Sequence, residues 1–136
     1  MKVGRGVEVF NLYDWLPGHG ENGVKINIKG TDLIVNVEYD GEYGVVERSI
    51  IFTSVCSFYH QIFPGPSIIG LDWGAKSNSD LIGSLVEYPA SEAAIAWMKA
   101  LGNSRVIRQF GVLFLAENIQ IIVLSGDVIL EDPVVG

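Results

Sequence analysis

The sequence predicts an α+β fold dominated by β-structure: a curled antiparallel sheet or small barrel of about seven to nine strands, with one main α-helix at about 91–101 packed on it. Short apolar or alternating segments recur along the chain and are separated by turns of hairpin length. A single segment combines helical periodicity with capping residues at both ends. Strands and helices do not alternate regularly, as they would in a parallel sheet. We expect one domain over 1–136.

The N-terminal half predicts an antiparallel meander. Its strands show apolar residues alternating with polar ones, which is typical of strands that are buried on one face. The Asp40-Gly41 pair is a strong signal for a hairpin between two of them. Arg48 falls on the apolar face of the last strand, where we expect it to reach the sheet rim or to pair with an acidic neighbour. The predicted strands span residues 5–13, 24–29, 33–40 and 45–52.

The segment from Ser91 to Leu101 predicts the helix. Ser91 is suited to cap its N-terminus, and Gly102 is well placed just beyond its C-terminus. An apolar stripe would dock the helix on the sheet, because three turns are marginally stable alone in water. The stripe consists of Ala94, Ile95, Met98 and Leu101, with Trp97 at its margin.

The stretch from Val106 to Glu131 predicts two apolar strands folded back on each other, followed by a third. From Phe110 onward both faces of these strands are apolar, and such strands are normally covered on both sides. One short helix can cover only one face. The other cover would be a curled sheet, the 53–80 segment or a second subunit, so a homodimer is among the expectations.

The middle of the chain gives conflicting signals. Residues 54–63 have apolar side chains at helical spacing after Ser54, which predicts a short helical turn, although their β-branched and aromatic content favours a strand. Two further strands are predicted at 67–71 and 81–88, the second ended by Pro89.

The composition narrows the class of partner. Sixteen acidic residues against nine Lys and Arg give a formal net charge of -7. This balance argues against a nucleic-acid or anionic-membrane partner, since both attract basic surfaces, and it suits a basic protein partner. The one cysteine, Cys56, excludes an internal disulfide. The sequence has no signal-peptide pattern and no apolar run of transmembrane length, so we expect a cytoplasmic protein.

A predicted hairpin tip is the most suggestive surface feature. It combines three carboxylates with two tyrosines, and tyrosine is favoured at protein interfaces. We therefore expect a non-enzymatic protein of the inhibitor or immunity type that binds a basic protein partner through this tip. The alternative interpretation is that the acids solubilise an exposed turn while one tyrosine packs into the sheet. The candidate binding residues are Glu38, Tyr39, Asp40, Glu42 and Tyr43.

Two other functions are weighed against protein binding. A small-ligand site in a barrel or a sheet–helix cleft would be lined by aromatics, with Trp15, His19 and Trp73 as candidates. A weaker alternative is an enzyme that uses the 14–23 loop, where Asp14 and Glu21 flank His19.

Cys56 and His60 would share one face of a helix, as a thiolate–imidazole pair or two metal ligands would. The sequence offers no further ligands in a metal-site spacing and no evident orienting group for such a pair. We assign no catalytic residue, metal ligand or cofactor from the sequence.

Overall fold

A computed structural model describes residues 4–62, 83–89 and 91–135. Within these ranges the chain forms two antiparallel β-sheets whose inner faces enclose the core, and one α-helix packs on the outer side of one sheet. The predicted fold class, a β-dominated α+β protein with curled antiparallel sheets and one helix, is therefore confirmed. The described strands do not close into a barrel.

The described secondary structure comprises ten strands, a 3₁₀ helix over Leu12–Asp14 and helix α1 over Glu92–Ala100. Sheet 1 has the strand order β1-β6-β7-β8-β5. In sheet 2, β2 pairs with β3 and β3 with β4, and both β9 and β10 pair with the other edge of β4. The strands are β1 Val7–Asn11, β2 Gly23–Lys29, β3 Asp32–Gly41, β4 Gly44–Thr53, β5 Ser57–Ile62, β6 Ser84–Glu87, β7 Arg108–Phe114, β8 Ile119–Ser125, β9 Asp127–Leu130 and β10 Val134–Val135.

Two adjacent corners carry the chain from one sheet to the other. The first leads from β4 to β5 through Ser54, which has a left-handed φ of 53° and donates its N–H to Asp32 Oδ1 at 3.2 Å. The second leads from β8 to β9 through Gly126, whose N–H bonds the Thr53 carbonyl at 2.9 Å. The hydrogen bond between Gly126 and Thr53 therefore joins the two corners. The two sheets share one core.

Alternating side chains of both sheets fill the space between them. Phe52 of β4 and Phe110 of β7 are both fully buried, and their ring centroids lie 5.9 Å apart across the core. Sheet 1 therefore has one of its two apolar faces covered by sheet 2. Other core residues are Leu33, Val35, Val37, Ile50, Leu85, Val112, Phe114, Ile121 and Val123.

Helix α1 begins and ends as the sequence predicts. Ser91 Oγ accepts the N–H of Ala94 at 3.0 Å, which caps the N-terminus. At the other end Gly102 has a φ of 67°, and the N–H groups of Gly102 and Asn103 bond carbonyls of the last turn. This pair of bonds satisfies carbonyls that a helix end otherwise leaves unpaired.

The helix covers part of the outer face of sheet 1. Ala94 packs with Ile107 and Leu124, and Met98 and Leu101 lie against the same cluster. The predicted stripe is wrong for Ile95, which is 56% exposed.

Tyr88 covers a further part of the outer face of sheet 1. Its ring approaches Gly111 so closely that a Cβ there would lie 3.1 Å from a ring carbon. Packing against this ring, rather than backbone conformation, therefore requires a small residue at position 111. The burial of Tyr88 also raises the pKa of its hydroxyl to about 12.

The prediction of a helical turn at 54–63 is wrong. Residues 57–62 form strand β5, which pairs with β8 in antiparallel register. The free edge of β8 offers a complete set of backbone hydrogen bonds, and this outweighs the local helical spacing. The first strand is shorter than the predicted 5–13. It spans Val7–Asn11, because Leu12 begins the 3₁₀ helix. The predicted strand at 67–71 lies outside the described residues.

Among the described residues, no helix is both long enough and apolar enough to cross a bilayer.

Candidate functional site

The 14–23 loop and the hairpin tip, which the sequence treats as separate candidates, meet at one end of sheet 2. Asn22 Nδ2 donates to Asp40 Oδ1 at 2.7 Å, and His19 Nε2 lies 3.2 Å from Asp40 Oδ2. The backbone N–H of Asn22 also bonds the Glu38 carbonyl at 2.7 Å, which continues the β2–β3 ladder. These contacts of His19 and Asn22 with the tip, which we call the latch, join residues that are far apart in sequence.

Aromatic packing on the inner side of the sheet supports the tip from beneath. Tyr39 is buried, with 5% exposure, and its ring centroid lies 5.1 Å from that of Trp15. The guanidinium of Arg48 lies 5.2 Å from the Trp15 ring centroid, and Arg48 Nε donates to the Glu131 carbonyl at 2.8 Å. Arg48 thus reaches the rim of the sheet and binds a backbone oxygen. The Trp15 indole N–H is buried without an acceptor among the described residues.

Glycines shape the turn that presents Glu42 and Tyr43. Gly41 pairs with Gly44, so the loop between the strands is these two residues. A Cβ at Gly41 would lie 2.5 Å from Cγ2 of Val46, and Gly44 has a φ of 134°, a region that favours glycine. Tyr43 is 89% exposed at the end of this tight turn. The alternative interpretation that one tip tyrosine packs into the sheet is correct for Tyr39, while Tyr43 faces solvent.

Beside the tip, the outer side of sheet 2 carries an acidic face, which we define as Glu38, Glu47, Glu131 and Asp132. All four residues are exposed. Glu38 of β3 lies directly opposite Glu47 of β4 in the strand pairing. Glu47, Glu131 and Asp132 line a depression of about 440 Å³. Lys25 of β2 lines a second depression together with Glu38 and Glu47. None of the four carboxylates forms a salt bridge with a described residue.

The remaining loop candidates point to different partners. Glu21 is buried, with 5% exposure, and its carboxylate accepts the N–H of Ala116 at 3.0 Å, so it anchors the loop to the β7–β8 turn. His19 binds Asp40 instead, and Asp14 is exposed in the 3₁₀ helix. The described residues hold no group of three acidic, histidine or cysteine side chains arranged for a metal ion.

The two remaining candidates from the sequence are Trp73 and the Cys56–His60 pair. Trp73, proposed for a ligand pocket, falls outside the described residues. His60 belongs to a strand and Cys56 immediately precedes it, and four residues of extended chain span roughly 13 Å. A direct thiolate–imidazole pair needs a much shorter distance than this spacing provides.

Sequence reasoning missed four residues of the site: Asn22, Glu47, Glu131 and Asp132. Glu47 was within reach, because a two-residue loop at Glu42-Tyr43 places Glu38 opposite Glu47 by counting. Asn22 has no such signal, since nothing in the sequence shows that its side chain reaches Asp40.

We expect Asn22→Ala to raise the pKa of Asp40 toward the ordinary aspartate value, and by more than His19→Ala does. The hydrogen bond from Asn22 is the main cause that lowers the pKa of Asp40, with further contributions from the hydrogen bond and charge of His19 that desolvation opposes. Because the folded pKa lies below the unfolded one, the latch stabilises the fold above about pH 3.9 and is lost as pH falls through the lowered value. An NMR titration of the Asp40 carboxyl carbon measures this.

The matched control is Asn27→Ala, an exposed asparagine on β2. This variant should leave the Asp40 titration unchanged. Equal shifts in the Asn22→Ala and Asn27→Ala proteins would contradict the latch.

Comparison of the chain with protein-family models, with curated proteins and with solved structures found no match in any of the three.

Proposed function

We propose that the protein binds a basic protein partner through the hairpin tip and the adjoining acidic face, as an inhibitor or immunity-type protein would. The observation that carries the proposal is the direct opposition of Glu38 and Glu47. Like charges in a directly opposed cross-strand pair destabilise a sheet. A cationic side chain from a partner would lie between the two carboxylates and turn this cost into a favourable interaction.

The rigidity of the tip supports the same proposal. Asp40 is held by Asn22 and His19 on one side, and Tyr39 rests on Trp15 on the other. Tyr43 is therefore presented on a turn whose geometry is set before any partner arrives. An aromatic side chain on a preorganised turn needs little ordering of the backbone on binding, which favours affinity.

The charge on the acidic face is tested by Glu47→Lys against Glu92→Lys. Both exposed residues change the net charge equally, but Glu92 lies in the first turn of α1 and outside the proposed interface. We expect wild type and Glu92→Lys to capture the same basic protein from a lysate of the source cells. Glu47→Lys should bind that purified partner at least about tenfold more weakly, because it places a cation against a cation. Equal affinity of the two variants would refute the acidic face as the interface.

Tyr43 is tested in the same assay with Tyr59→Ala, an exposed tyrosine on β5, as the control. Loss of a central aromatic contact typically weakens binding about tenfold or more, so Tyr43→Ala should do so and Tyr59→Ala should not.

We place this binding function in the cytoplasm, and the expectation of a homodimer stays a prediction.

A further inference from the structure

A cleft opens at the opposite end of β3 from the hairpin tip, between the β2–β3 turn and the start of β5. Its volume is about 310 Å³, at the lower end of the range of small-molecule sites, which is about 300–1,000 Å³. Asp32 and Asp40 of β3 are eight residues apart, which is roughly 27 Å of extended strand. The cleft is therefore spatially independent of the proposed protein interface. Its described lining residues are Ile28, Gly30, Thr31, Asp32, Leu33, Val55, Cys56, Ser57 and Phe58.

The walls of the cleft are continuous with the hydrophobic core. Leu33 is buried, with 1% exposure, and Val55 and Phe58 pack against the core cluster. Ile28 pairs with Leu33 and lies on the same inner face of sheet 2, yet it is 65% exposed. An inner-face isoleucine that is left in contact with water gains free energy when an apolar group covers it. The lining therefore favours a ligand with an apolar body.

Asp32 supplies the one charged side chain among the described lining residues. Its Oδ1 accepts the Ser54 N–H at 3.2 Å, and its Oδ2 has no hydrogen-bond partner among the described residues. Lys29 lies opposite Asp32 in the strand pair but is exposed and forms no salt bridge with it. Asp32 thus places a carboxylate in the lining of a largely apolar cleft, where a carboxylate prefers a cationic donor.

We propose that this cleft binds a small primary amine with an apolar body, its ammonium group on Asp32 and its apolar body against Ile28, Leu33 and Phe58. The site goes beyond the proposed protein-binding function and uses none of its residues. Size and lining limit the ligand to a compact molecule, such as an arylalkyl or short alkyl amine.

The test is an amide chemical-shift titration of the full chain with 2-phenylethylamine, alongside the neutral isostere 2-phenylethanol. We expect saturable shifts at residues 30–33 and 55–58, with the amine binding about tenfold more tightly than the alcohol because a charge-assisted hydrogen bond is lost in the alcohol. Alkylation of the Cys56 thiol, which lies in the cleft wall, should slow with the same half-saturation concentration.

Two variants separate the charge from the cavity. Asp32→Asn keeps an oxygen for the Ser54 N–H and removes the charge, so it should lower amine affinity to that of the alcohol. Ile28→Trp should fill the cleft and abolish saturable shifts, whereas Ile62→Trp, at an edge-strand isoleucine with 77% exposure outside the cleft, should bind normally. Both isoleucines are exposed, so both variants should fold.

The proposal is overturned if the amine gives no saturable shifts at the cleft or binds no better than the alcohol. It is also overturned if Asp32→Asn or Ile28→Trp binds the amine as tightly as wild type does.

Discussion

Phe52→Ala is expected to lower the free energy of unfolding by about 3–5 kcal/mol, the usual cost of removing a buried phenylalanine ring. Phe52 has no exposed surface, and its ring meets Phe110 of the opposite sheet with centroids 5.9 Å apart. Truncation would leave a cavity between the sheets, next to the two corners that join them. The backbone there is tied by corner hydrogen bonds, so collapse around the cavity would be limited. Urea unfolding followed by tryptophan fluorescence measures the loss.

Two companion variants make the result interpretable. Phe52→Leu keeps most of the volume and should cost about 1–2 kcal/mol, which remains measurable if the alanine variant fails to fold. Tyr43→Ala removes an aromatic ring that is 89% exposed and should change stability by less than about 0.5 kcal/mol. If Phe52→Ala cost no more than Tyr43→Ala, the core would not lie between the two sheets.

The fold class was predictable because its signals are local. Alternation over 24–29 and 33–40 fixes which side chains face inward, and the described β2 and β3 follow that pattern. Ser91 and Gly102 mark the ends of α1 through backbone requirements that few other residues meet as well.

The predictions that were wrong or left open concern segments whose structure depends on residues far away in the sequence. Residues 57–62 form a strand because β8 offers an open edge some sixty residues later in the chain, which no local pattern reveals. The division of the apolar strands β7 and β8 between a core face and an outer face also depends on the second sheet. Sequence periodicity alone did not show which element covers each face of these strands.

The candidate site shows the same limit. The tip and the 14–23 loop were both chosen for their residue types, and the structure joins them through Asp40. Residue type could not show that Tyr39 is buried while Tyr43 is exposed, although strand alternation from Val37 places Tyr39 inward. The opposition of Glu38 and Glu47 follows from hairpin register, which depends on a correctly placed turn.

Ser91→Ala is expected to lower the free energy of unfolding by about 2–3 kcal/mol, more than loss of a helix cap alone explains. Ser91 Oγ accepts the Ala94 N–H at 3.0 Å and also donates to Oε1 of Gln109 on β7. Ser91 and Gln109 both have no exposed surface. One hydroxyl therefore caps α1 and connects it to the buried amide of Gln109 on β7. Alanine removes both bonds in a buried setting, where lost hydrogen bonds cost most.

Ser104→Ala is the matched control, because it makes the same substitution just beyond the other end of α1. Its hydroxyl donates to the Leu101 carbonyl at 2.8 Å, but the residue is exposed and water can replace the bond. We expect a loss below about 0.5 kcal/mol, within the usual range for surface substitutions. Hydrogen exchange at the Ala94 amide should accelerate in Ser91→Ala and stay unchanged in Ser104→Ala. Equal stability of the two variants would mean that the helix docks through apolar contacts alone.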